Sequence, residues 1–196
     1  MSGALKIAGV CGFAAPIVAL TFILAAIASW PQFSWVNNAL SDLGVQSGAT
    51  AWLFNSGLVV SGVLFAVFAA GLFRLVGKRA VGRVGAAILF LACVALMLIG
   101  VFNESFRPTH YYVSVAFFVL MPISLLVLAA AFWISGKRRL GVFTSVTALV
   151  AAAVWVLQFT VHYVPNVAIP EFVSGLAGAV WVVVLSYLMA NEASKA

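Results

Sequence analysis

Six long apolar stretches divide the chain, and short polar or charged runs separate them. They cover approximately residues 5–30, 51–75, 84–102, 111–135, 140–164 and 171–190. A helix needs about 20 apolar residues to cross the hydrocarbon layer of a bilayer. Backbone groups in lipid must satisfy one another, so each stretch predicts a helix. The alternating segments of about ten residues that a barrel requires are absent. The pattern predicts an all-α, polytopic transmembrane bundle: a single six-helix domain over residues 1–196. Its longest connection is residues 31–50, between the first and second helices.

Composition narrows the class further. Hydrophobic residues make up 65% of the 196 and charged ones 7%, against about 45–50% and about 25% in soluble domains. So few charges exclude a soluble globular domain, a disordered chain and a disulfide-stapled secreted module. Cys11 and Cys93 lie inside apolar runs without a CxxC partner, and read as small buried hydrophobes.

The formal charge of +6 does not point to nucleic acid, because the basic residues do not share one amphipathic face. Nine of the ten fall on one side of the bundle: Lys6, Arg74, Lys78, Arg79, Arg83, Lys137, Arg138, Arg139 and Lys195; only Arg107 falls on the other. By the positive-inside rule, both termini and the two basic turns are cytoplasmic in a multi-pass protein of the cell (inner) membrane. The first apolar run exceeds the core of a signal peptide, so it reads as a retained helix. Gly77-Lys78-Arg79-Ala80-Val81-Gly82 has an echo in Gly136-Lys137-Arg138-Arg139-Leu140-Gly141. Either a helical hairpin was duplicated or two tight turns met the same need.

Acid–base chemistry is concentrated at the opposite rim. Asp42, Glu104, Glu171, His110, His162 and Arg107 all fall there, with only Glu192 on the basic side. Ionisable groups near membrane depth tend to face a protein interior or water cavity. Each also has a structural reading: Glu171 after Pro170 at a helix start, Thr109 capping the fourth helix, Ser41 or Asp42 capping a short helix, and Glu104 pairing with Arg107. Residues 31–50 hold Phe33, Trp35, Leu40, Leu43 and Val45, too apolar to float in water. They predict an interfacial lid carrying Asp42, with Trp30 and Trp35 in an aromatic belt. Asn55 and Gln158 extend the polar rim downward or bond between helices. Pro16 and Pro122 are expected to kink their helices. Gly57, Ser61, Gly62, Gly71, Gly175 and Gly178 are expected to serve close packing.

Several short features occur in a telling order: Ser41-Asp42-Leu43-Gly44, Phe54-Asn55-Ser56-Gly57, Gly100-Val101-Phe102, His110, Ser114 to Phe118, and Glu171. In these the chain resembles a family of bacterial and archaeal membrane proteins known as domain of unknown function 998. The resemblance implies six helices with polar positions at Asp42, Asn55, His110 and Glu171, and it implies no reaction. His162 does not match the pattern.

Together these residues predict an outward-facing pocket. Asp42, Glu104, His110 and Glu171 are the candidates for chemistry. Ser41, Asn55, Arg107, Ser114 and His162 are the candidates for binding. One reading is lipid- or isoprenoid-directed chemistry, with histidine as general base or with histidines and carboxylates holding a divalent metal. No HExxH or GxSxG motif supports a specific reaction. A second reading is a binder or transporter of a small amphiphile or cation, without an acidic residue near the midplane to drive it. Paired haem ligation by His110 and His162 is a weaker third, and an accessory membrane subunit a fourth. The partners expected are membrane lipid and a small amphiphilic ligand.

Overall fold

The computed structural model describes residues 2–77 and 79–194. Lys78, Lys195 and the Glu192 side chain, all assigned to the basic side above, lie outside that description. The helices are α1 (Ser2–Ala28), α2 (Ala49–Leu75), α3 (Ala80–Val101), α4 (Thr109–Ile134), α5 (Arg138–Val161) and α6 (Ala168–Ser194). Short 3-10 turns at Leu40–Val45 and Glu104–Phe106 lie in two of the connections. All six helices are long and apolar enough to cross a membrane. Helix α3 starts before the apolar run does, because backbone bonding continues past charged Arg83. Helix α5 ends three residues earlier than its apolar run. There His162 takes a left-handed φ of 51° and donates its N–H to the Gln158 carbonyl.

Neighbours in sequence pack side by side, and α6 returns to α1 to close a ring. Helices α4 and α6 scarcely touch, and α5 packs against both. One end of the ring carries the α2–α3 and α4–α5 turns with their basic residues; the other carries the longer, acid-bearing connections. Glycines set the closest approaches. A Cβ on Gly57 would run into Phe22, one on Gly62 into Met97, and one on Gly71 into Ala8. These three close the α1–α2 and α2–α3 seams, as small residues do between membrane helices.

The two echoed basic turns have a local cause. Gly77 and Gly136 both take positive φ, 67° and 72°. At the second, Gly136 N–H bonds to Trp133 O at 3.0 Å and Lys137 N–H to Phe132 O at 2.9 Å, closing the end of α4. Left-handed backbone after a helix favours glycine, so the repeated glycine follows from turn geometry alone.

At the acidic rim, Gly100 sits against the neighbouring backbone. An added Cβ would lie 2.5 Å from Asn55 O, a main-chain atom that cannot step aside cheaply. Gly100→Ala is expected to destabilise the bundle by about 1–3 kcal/mol, measured as a lower midpoint of thermal unfolding in detergent. An unchanged midpoint would contradict this packing.

Candidate functional site

The lid over the acidic rim is residues 31–48, and apolar burial brings it inward. Leu43 is fully buried, and Leu40 is nearly so. They pack with Ala26, Phe54, Leu58, Leu96, Ile99 and Ala168 from the surrounding helices. Trp30, Phe33, Trp35 and Phe172 follow edge to edge, with ring centroids 5.0–5.9 Å apart. Trp30 and Trp35, both half-buried, thus pack against the lid's apolar cluster. Trp52, Phe106, Tyr111, Tyr112, Phe159 and Tyr163 are exposed aromatics toward this rim.

Polar contacts fasten this lid. Leu40 N–H donates to Glu171 Oε2 at 2.6 Å. Ser41 Oγ donates to Glu104 Oε1 at 2.8 Å. Asp42 Oδ2 turns back on its own segment, accepting from Ala39 N–H at 3.0 Å and Asn38 Nδ2 at 2.8 Å. Leu40 and Ser41 thus engage two carboxylates from outside the lid, and Asp42 supplies a third that braces the lid's own segment. Asn55 Nδ2 holds the Gly44 carbonyl at 2.9 Å, and Asn166 and Ala168 bond to the lid backbone from the start of α6. Ser41→Ala is expected to remove the link to Glu104 and lower stability by roughly 0.5–1.5 kcal/mol. Thermal unfolding of the purified protein measures this, and no change would show that the contact contributes nothing.

Beneath the lid lies a cavity of about 140 Å³. An engineered apolar cavity of about 150 Å³ in another protein admits benzene. This one is drawn out along the helices. On α6 it is lined from Glu171 to Val182, a run of about 16 Å at about 1.5 Å per residue. On α4 it extends from Ser114 to Leu125, and on α2 from Phe54 to Phe65. That is half of a hydrocarbon layer about 30 Å thick. The space is therefore a narrow slot, and α5 contributes nothing to its walls. Trp181, fully buried and held by a 2.9 Å bond from Nε1 to Thr144 Oγ1, stands at the deep end with Phe65 and Leu125.

Almost all of the wall is apolar. Ser41, Ser114 and Glu171 are the oxygen-bearing side chains on it, all at the rim end, and among the described residues no Lys, Arg or His lines it. Glu171 Oε1 takes no hydrogen bond from the described residues, while Oε2 is engaged by the lid. Gly175 and Gly178 correct an expectation. A Cβ on Gly175 would meet nothing within 4 Å, and one on Gly178 only Met121 at ordinary contact distance. These glycines leave the cavity open; they do not pack helices.

The remaining candidates divide. His110 is buried behind the wall, with Nδ1 2.7 Å from Phe102 O and Nε2 3.4 Å from Ser114 Oγ. Arg107 is exposed and 3.4 Å from Glu104, the one ion pair among the described residues. Asp42 and Asn55 hold the lid and do not line the cavity. Helix α4 begins with Pro108 at its cap, so Thr109 does not cap it. His162 is exposed as the left-handed residue ending α5 and joins no site contact. This removes the geometric basis for a haem held by His110 and His162. Among the described residues, no three His, Cys, Asp or Glu side chains converge as a metal-holding group. The carboxylates are spent on the lid instead.

The family model described as a protein of unknown function, DUF998, matches residues 13–188. The chain belongs to the DUF998 family. No curated protein and no solved structure matches it. In this DUF998 chain the matched region covers the lid, the cavity walls and every rim candidate discussed above.

Sequence reasoning did not find the cavity or its deep wall at Trp181. One signal was present: Gly175, Gly178 and Val182 share a face of α6 at helical spacing. Periodicity cannot say whether such a face meets a neighbour or a void.

Proposed function

We propose that this DUF998 protein binds a single-chain amphiphile, with the chain in the slot and the polar head under the lid. The observation that carries this is the wall: a long apolar run ending in side-chain oxygens, with no cation lining it among the described residues. An apolar chain leaving water for such a wall gains about 25 cal/mol per Å² buried. At the head end, the free Glu171 oxygen and the lone pairs of Ser114 call for donors. Hydroxyl or amine heads satisfy them. A phosphate or carboxylate head would bring a charge against an apolar wall that offers it no cation among the described residues, and would remain uncompensated. With the basic turns placed in the cytoplasm by the positive-inside rule, the head group sits at the outer leaflet of the membrane.

Competition against a fluorescent alkyl probe tests this reading. Long-chain alcohols and amines are expected to displace the probe from the purified protein. A phosphate ester of equal chain length should do so at least about tenfold more weakly, one lost hydrogen-bonded pair or more. Equal displacement by all three heads, or by none, would overturn the proposal.

A further inference from the structure

Three groups stand in sequence at the rim end of the cavity. The Phe102 carbonyl lies 2.7 Å from His110 Nδ1. A carbonyl only accepts, so Nδ1 carries the hydrogen, and in the neutral ring Nε2 keeps a lone pair. Ser114 Oγ is 3.4 Å from that Nε2, one helical turn along the same face of α4. Beyond Ser114 is the cavity. Helical serines commonly bond back to a carbonyl one turn earlier, as Ser56, Ser124, Ser135 and Ser145 do here. Ser114 makes no such bond and turns to the imidazole instead. Nucleophile, base and an acceptor that orients the base are all in place, at the looser spacing common before substrate binds.

We infer that Ser114 and His110 form an acyl-transfer pair acting on monoacyl esters of a polyol. This rests on the amphiphile reading above: the acyl chain occupies the slot, the alcohol portion donates hydroxyls to Glu171, and the ester meets Ser114. Ser114 Oγ bonds to the acyl carbon while His110 Nε2 takes its proton. The ester C–O bond then breaks, and the alcohol leaves with that proton. Water adds to the acyl-serine, giving its proton to His110 and releasing the fatty acid. The Ser114 oxygen recovers the proton, so nothing is oxidised or reduced. The Nδ1–H bond to Phe102 keeps the ring oriented throughout.

A fluorophosphonate with a long alkyl chain, applied to the full-length purified protein, provides the test. Mass spectrometry is expected to find it attached to Ser114, and Ser114→Ala should abolish the adduct. His110→Asn retains a donor for Phe102 but has no base at Ser114, so labelling should slow by about 100-fold or more. Displacement of the fluorescent alkyl probe, by the reagent or by its unreactive phosphonate ester, reports entry separately from reaction. Entry without an adduct on Ser114 would overturn the acyl-transfer pair and leave amphiphile binding standing. Failure of these probes and of long-chain alcohols alike to enter would overturn both readings. Equal labelling in His110→Asn would remove histidine from its role.

Discussion

Gly175→Leu is expected to abolish binding of alkyl alcohols and amines while leaving the bundle at least as stable as before. The position opens on empty space, with no neighbouring atom within 4 Å of an added Cβ. A leucine there projects into the slot between α4 and α6, where the ligand chain must lie. The substitution also replaces a helix-interior glycine, which alone favours the folded helix by roughly 0.5–1 kcal/mol. Filling a cavity commonly stabilises by a similar amount. Binding and stability therefore move in opposite directions, a signature that a generally damaging mutation does not give. Binding follows from displacement of the alkyl probe and stability from thermal unfolding. Retained affinity in the leucine variant would place the ligand elsewhere.

Glu171→Gln is expected to weaken the binding of alcohols and amines while leaving the lid in place. The carboxyl has two tasks: one oxygen holds Leu40 N–H at 2.6 Å, and the other is free of protein partners among the described residues. Glutamine keeps the first task through its carbonyl oxygen, and its NH₂ then faces the head group. An oxygen that can accept has become a group that only donates. Alcohols and amines lose a pairing worth about 1–3 kcal/mol, a loss of about fivefold to more than a hundredfold. The lid should stay in place, so the unfolding midpoint should hold. Glu171→Ala differs, because Leu40 N–H loses its acceptor in a buried place and stability should fall by about 1–3 kcal/mol. If glutamine and alanine gave the same outcome, the two roles assigned to the two oxygens would be wrong.

The architecture was legible because lipid imposes one solution on apolar runs of this length. Helix ends were less so. His162 ends α5 inside an apolar run by taking a left-handed conformation, and no hydropathy window senses a single φ. The rim was legible as a place but not as a site. Asp42, Glu104 and Glu171 were grouped by topology as partners in chemistry, yet each is engaged with the lid at Leu40–Asp42. Which carboxylate faces the cavity depends on where lid backbone N–H groups arrive, and no spacing in the chain encodes that. The same holds for Gly62 and Gly175. They look alike in sequence, yet one meets Met97 and the other meets nothing.

The most direct measurement is fluorescence quenching of Trp181 by a fatty alcohol brominated at the end of its chain. Trp181 is the tryptophan on the cavity wall and stands at its deep end. With the head at Glu171, the terminal bromine should reach it. The account predicts a saturable component of quenching that disappears in Trp181→Phe and in Gly175→Leu. Quenching that grows linearly with added alcohol, and is unchanged in both variants, would mean that the chain never leaves the lipid for the slot.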